Sequence, residues 1–240
     1  MWYQAFYLPI SLFSLRQSLS TGSGAKTLLV PTPFALKMAL LDAAIRVLGK
    51  EQATLLFPTI RDLQIAVQLP SQLVVINSFL KIVRPKKNGP SDDLGTGLVT
   101  PLGSTIAYRE FVSYGGPLGL SLSNGEGSAL PAELVGLLAQ INYFGKRGSF
   151  VQLLEPPQAI IGRLGEDWTL LTADQRMFVS DGTIQMLDDC GPALSFERAD
   201  ITSGVRITLG KDRVQRSIVL PYRLMRSSRG FTLYQRIVFS

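Results

Sequence analysis

The chain has no histidine and a single cysteine in 240 residues. Without histidine there can be no Ser-His-Asp triad, no Cys-His pair and no imidazole metal ligand, and the commonest general base for RNA cleavage is missing. Cys190 alone can make neither an internal disulfide nor a thiolate zinc site, and it reads as a small buried thiol in a reducing compartment. No GxxxxGK[ST] loop occurs, and no GxGxxG follows a strand. The GSGAK run at 22–26 has the residue types of a phosphate cradle without its spacing. Long apolar runs are also missing. The opening MWYQAFYLPISLFSL is interrupted by Gln4, Pro9 and Ser11, has no basic flank before it, and falls short of the roughly 18 residues a membrane helix needs. It reads as a buried first strand of a soluble, cytoplasmic protein with no membrane partner. Asp188-Asp189 is a candidate for divalent-cation binding or a shared proton. Adjacent acids in an extended segment point opposite ways, so both are expected to be solvated. No cofactor and no metal are expected.

What the chain does have is 46% hydrophobic residues, enough for one substantial core or a domain of about 150 residues with an appendage. Its net charge of +6 is segregated. Residues 201–240 carry eight Arg and Lys (Arg206, Lys211, Arg213, Arg216, Arg223, Arg226, Arg229 and Arg236) against Asp212 alone. Residues 63–90 carry Lys81, Arg84, Lys86 and Lys87 without an acid, whereas 150–200 is rich in Asp and Glu. Faces of opposite sign follow, and a basic face is the footprint expected for a phosphate backbone. A solvated basic face or an acidic protein partner would leave the same pattern.

The spacing predicts a strand over 2–15, a Ser/Gly-rich loop over 17–26, and a helix capped by Thr32 with Pro33 at its first position. Leu36, Ala39, Leu40, Ala43 and Val47 form its apolar stripe, Asp42 and Arg46 pair on the wet side, and Gly49 ends it. Residues 63–84 split at Pro70-Ser71 into two strands, and 84–103 form a projecting hairpin or loop. Strands at 104–113 and 117–123 meet at Gly115-Gly116. A second helix opens near Pro131 and runs to about Asn142, and Gly145 and Gly148 then bracket Lys146-Arg147. From Phe150 onward short strands and turns prevail. Up to about residue 155 this is the βαββαβ order of the ferredoxin-like, RRM-like fold, an α+β architecture. Many such domains bind RNA through a sheet face or a glycine-rich loop.

Four segments together resemble one family: VPTPFALKMALLDAAIRVLG at 30–49, TIAYREFVSY at 105–114, YFGKRGSF at 143–150 and IVLPYRLMRSSRGFTLYQRI at 218–237. In order and spacing they are similar to the fifth family of CRISPR-associated proteins, RAMP-type subunits of Cascade-like type I complexes. The resemblance implies an RRM-like domain at 1–155 with a thumb hairpin near 70–112, and a smaller β-rich region at 156–240. It implies a non-catalytic subunit of an antiviral ribonucleoprotein that binds and caps the 5′ handle of the guide RNA (crRNA). Filament-forming RAMP subunits, a large subunit and a processing nuclease would be its partners, with target DNA met indirectly. Arg109 matches the arginine that faces the handle. Tyr143, Lys146 and Arg147 match the glycine-rich turn, and Ser14 and Arg16 fall where the first strand approaches RNA. The sequence adds Tyr108 beside Arg109 and the basic residues Lys81, Arg84, Lys86, Lys87, Arg223 and Arg226 as RNA-binding candidates.

Two other readings stand beside this one. The first is a metal-independent RNA-processing endonuclease of the same superfamily, using Tyr108, Tyr114, Tyr143 or Tyr222 with Lys146. One branch of the family processes its own precursor RNA with Tyr, Lys and His, which the absence of histidine disfavours here. The second is a structural subunit whose basic face meets protein.

Overall fold

A computed structural model describes residues 1–16, 26–92, 95, 97, 99–125, 128–173 and 181–237. The Ser/Gly-rich loop at 17–25, and with it most of the 22–26 run, lies outside the described residues. The fold is α+β with antiparallel sheets.

The first sheet is built from β1 (Trp2–Pro9), β2 (Gln64–Gln68), β7 (Leu118–Ser123), β8 (Val151–Leu153), β9 (Gln158–Ile160) and β10 (Trp168–Leu170). Its order is β10-β2-β7-β1-β8, with β9 also paired to β1. Alternating residues of β1, Ala5 and Tyr7, join Ile65, Val67, Leu120 and Leu122 in one core with the helices. Tyr7 donates its hydroxyl to the Leu138 carbonyl at 2.7 Å, satisfying a polar group that is otherwise fully buried.

Helix α1 (Pro33–Asp62) begins as its sequence dictates. The Thr32 side chain accepts from Ala35 N–H at 3.2 Å, and Pro33 occupies the first turn, where no donor is needed. Leu36, Ala39, Leu40 and Ala43 are buried, and Arg46 pairs with Asp42 at 2.9 Å. Val47, expected on the apolar stripe, is exposed. Gly49 breaks the helix at φ 84°, a conformation that costs a side-chain-bearing residue more than glycine. The chain then turns and resumes as a second helical segment, so Gly49 is a kink and not an end. Helix α2 (Ala132–Leu137) continues into a 3-10 turn at Leu138–Gln140 and covers the same sheet face.

Between β2 and β7 the chain makes a long hairpin from β3 (Gln72–Pro85) and β6 (Leu102–Tyr114), paired from Leu73↔Tyr114 to Pro85↔Leu102. Its far end carries a short ladder of β4 (Ser91–Asp92) and β5 (Val99–Thr100). Strands β13 (Tyr222–Ser227) and β14 (Phe231–Arg236) extend this hairpin into a second sheet, order β13-β14-β3-β6. A third, two-stranded ladder pairs β11 (Thr183–Cys190) with β12 (Arg213–Leu220), and a one-turn helix α3 (Phe196–Ala199) lies between them in the chain.

The β11 ladder is fastened to α1 through buried charge. Lys37, 2% exposed, places Nζ 2.6 Å from Asp189 Oδ1 and 2.7 Å from the Arg61 carbonyl. Asp189 also accepts from Arg216 Nε at 3.1 Å and from Cys190 N–H at 2.8 Å. Asp188 faces the other way and pairs with Arg213. The two aspartates do diverge as strand alternation requires, but both are 2% exposed and cation-paired, not solvated. Burial of an unpaired carboxylate would be prohibitive, so these ion pairs are the condition for that strand packing where it does.

Candidate nucleic-acid interface

After β1 ends, the chain leaves the first sheet and runs beside the hairpin. Ser11 Oγ donates to the Gly148 carbonyl at 2.6 Å and accepts from Phe150 N–H at 2.7 Å, docking the glycine turn onto this segment. Phe13 and Val112 exchange backbone hydrogen bonds at 2.8 and 2.6 Å, and the Phe13 ring sits edge-on to Tyr114. Alternation then puts Leu15 in the core and Ser14 and Arg16 on the outer side. The Arg16↔Thr27 bridge closes the loop base, and Thr27 N–H donates to Glu110 Oε2 at 2.8 Å on β6.

The glycine turn is built for close approach. Gly145 (φ 73°) and Gly148 (φ 105°) both take left-handed conformations, while Phe144 between Tyr143 and Gly145 is buried against Tyr7. Ser149 N–H closes the turn on the Lys146 carbonyl at 3.0 Å. Lys146 and Arg147 are thereby held outward.

Three chain segments converge as a result. A cleft of about 210 Å³ is lined by Ser14, Arg16, Lys26, Arg109 and Lys146. A second cavity of about 310 Å³ shares Ser14, Arg16 and Lys146 with it and is also lined by Phe34, Met38, Tyr143, Asp188 and Arg213. No carboxylate lines the outer cleft. Among the described residues, none pairs with Lys26, Arg109 or Lys146. Four cations around a concave wall with backbone able to approach closely make an anion-binding arrangement, suited to successive phosphates.

Five of the thirteen sequence candidates thus meet here: Ser14, Arg16, Arg109, Tyr143 and Lys146. Arg147 is exposed on the adjoining turn. The others lie elsewhere. Tyr108 faces the opposite side of β6 from Arg109, edge-on to Phe79 with centroids 5.4 Å apart. Burial and then the neighbouring Glu110 charge push its phenol above its ordinary value. Arg84 shares the Arg109 face farther along the hairpin, and Lys81 lies on the reverse face. Lys86 is turned inward on the hairpin end, donating to Ser91 Oγ at 2.8 Å and Thr100 Oγ1 at 3.1 Å, while Lys87 is exposed. Arg223 and Arg226 occupy β13, across the second sheet from β6. Arg223 pairs with Asp181, and the Arg226 guanidinium lies 5.9 Å from the Phe231 ring centroid.

Two of the tyrosines considered for RNA cleavage are structural. Tyr114 and Tyr222 donate to the carbonyls of Leu29 (2.8 Å) and Pro70 (2.7 Å), and burial pushes both phenols well up. Cys190 is likewise inert, its thiol pushed up to about 12 by burial. Lys26, Phe34, Met38 and Arg213 also line the two cavities. The GSGAK run pointed toward Lys26, but no local pattern marks the other three, because their proximity depends on the packing of α1 against β11 and β12.

No protein-family model and no curated protein matches this chain. Among solved structures, a chain of a CRISPR RNA-guided surveillance complex is similar over 91% of this chain and 90% of its own, at TM-score 0.50 and 14% identity. A CRISPR protein from Archaeoglobus fulgidus aligns over 99% of this chain and 92% of its own, at TM-score 0.48 and 15% identity. The first of these likenesses is one of fold.

Proposed function

We propose that this chain is a guide-RNA-binding subunit of a CRISPR surveillance complex, a RAMP-type protein with a ferredoxin-like core that holds and caps the 5′ handle without performing chemistry. The observation that carries the reading is the convergence of Arg16, Lys26, Arg109 and Lys146, from three distant segments, on one cleft free of carboxylates. The fold shared with a chain of an RNA-guided surveillance complex supports the same reading. So does the chain order of the first sheet and its helices, strand–helix–strand–strand–helix–strand, with the hairpin inserted at the middle.

In this reading the outer cleft neutralises three or four phosphates of a single-stranded handle, and the glycine turn lets the backbone of the RNA come close. The hairpin, with Phe79, Val83 and Ile106 exposed along it, reaches toward the filament and large subunits. The test is binding and cleavage of a labelled repeat-derived RNA, with and without its 5′ handle, over a salt series in chelator. Handle-dependent binding without cleavage, with log K falling by about 2 to 3 per tenfold rise in salt, is the expected result. Cleavage would move the protein to the processing nucleases, and salt-insensitive or absent binding would oppose the proposal.

A further inference from the structure

The second cavity differs from the cleft that shares Ser14, Arg16 and Lys146 with it. Its inner wall is apolar, formed by Leu15 and Leu28 with Phe34, Ala35 and Met38 from the first turns of α1. Phe34 and Met38 are four residues apart and so share one helix face. Tyr143 lines the same cavity, and the cations Arg16 and Lys146 belong to both the cavity and the outer cleft. Asp188, from β11, and Arg213, from β12, also line the cavity. The Arg213 guanidinium carbon lies 4.2 Å from the centroid of the Phe34 ring, and its Nε pairs with the buried Asp188 carboxylate. Two contacts from two different elements thus fix one guanidinium plane at the cavity wall. Asp188 and Phe34 act as positioning residues: one holds the guanidinium edge, the other its face.

We infer that this cavity is a subsite for one unstacked nucleotide of the bound RNA, with its base among Phe34, Met38 and Tyr143 and its phosphate at the cationic mouth. The inference rests on the proposed RNA-binding function and specifies what that site takes. A volume of about 310 Å³ is at the small end of ligand cavities and suits one base, not a stacked pair. An apolar pocket with aromatic walls and a cationic rim matches the two-part chemistry of a splayed nucleotide. A bare phosphate would leave the inner wall unused. Arg213 adds a planar donor group whose orientation is preset, the feature that distinguishes arginine from lysine in recognising planar, hydrogen-bonding partners.

The test uses the full chain and a handle RNA in which single positions are replaced by 4-thiouridine, with photo-crosslinks mapped by mass spectrometry. One position is expected to crosslink to Phe34, Met38 or Tyr143, and its neighbours are not. Phe34→Leu, which keeps the apolar surface but removes the ring, is expected to weaken binding about 5- to 20-fold while leaving the salt dependence unchanged, since stacking is lost and no phosphate contact is. Asp188→Asn keeps a hydrogen-bond acceptor for Arg213 and is expected to weaken binding less than Arg213→Ala. Circular dichroism melts of each variant identify any that fail to fold, and the crosslink map of the unaltered protein decides independently of them. RNA bound with its normal salt dependence, but with no cavity crosslink and no effect of Phe34→Leu, would overturn the subsite and leave the RNA-binding function standing. No RNA bound even at low salt would overturn both.

Discussion

Two regions of the molecule are rich in Arg and Lys, and they use them differently. In the cleft beside the glycine turn, Lys26, Arg109 and Lys146 face an opening with no carboxylate partner among the described residues. On β12 and β13 the arginines are largely internally compensated. Arg213 is matched by Asp188, Arg216 by Asp189 and Arg223 by Asp181, while nearby Arg198 takes Asp212. Three acids of the 150–200 stretch, Asp181, Asp188 and Asp189, therefore serve as counter-charge for the basic C-terminal stretch. Charge density along a sequence records both kinds of cation alike. A phosphate responds only to those whose field has not already been cancelled.

The sharpest way to break this comparison is at its buried end. Lys37→Met is expected to destabilise the fold by about 1.5–3 kcal/mol, because Asp189 loses its 2.6 Å partner while Arg216 still compensates its charge. Thermal unfolding measures it, and a loss under 1 kcal/mol would mean the site is wetter than described. Next is the cleft itself. Arg109→Ala combined with Lys146→Ala is expected to weaken RNA binding about 10- to 100-fold and to reduce the salt slope by roughly 1.4, about 0.7 per phosphate contact. Arg223→Ala, although on a basic strand, is expected to change RNA affinity less than about twofold, since its charge is matched by Asp181. A larger effect would place RNA on the β13 edge. The smallest effect concerns acid. Asp200 is held at about 2, below its ordinary 3.8, first by the Lys50 hydrogen bond and then by Thr202. A depressed carboxylate stabilises the fold above its unfolded value and stops doing so as pH falls through its folded value. The stability difference between the native protein and Lys50→Ala is thus expected to be constant above pH 4 and to vanish as pH falls from about 4 to 2.

Local chemistry made much of the fold legible in the sequence. Thr32-Pro33 opens α1, Pro70-Ser71 separates β2 from β3, and Gly115-Gly116 separates β6 from β7, each because a cap or a missing donor acts within a few residues. Gly49 was readable as a break but not as a kink, since the segment after it folds back onto the core through Ala53, Phe57 and Ile60. The site was legible in part. The sequence marks Ser14, Arg16, Arg109 and Lys146, which line the cleft, and Tyr143, which lines the adjoining cavity. The pairing of Tyr108 with Phe79 away from Arg109 follows from strand alternation once the register is known, and the register was not. Asp188, Arg213 and Phe34 come together across more than 150 residues of chain, and nothing local foretells such a contact.

The central claim is that Lys26, Arg109 and Lys146, which have no ion-pair partner among the described residues, and not Arg223 on β13, meet the phosphates of the guide RNA. The most direct measurement is the salt dependence of handle-RNA affinity for the native protein, Arg109→Ala/Lys146→Ala and Arg223→Ala, compared at equal stability. The account predicts a shallower slope and weaker binding for the first variant and native behaviour for the second. Native behaviour of the cleft variant together with a shallower slope for the β13 variant would contradict it.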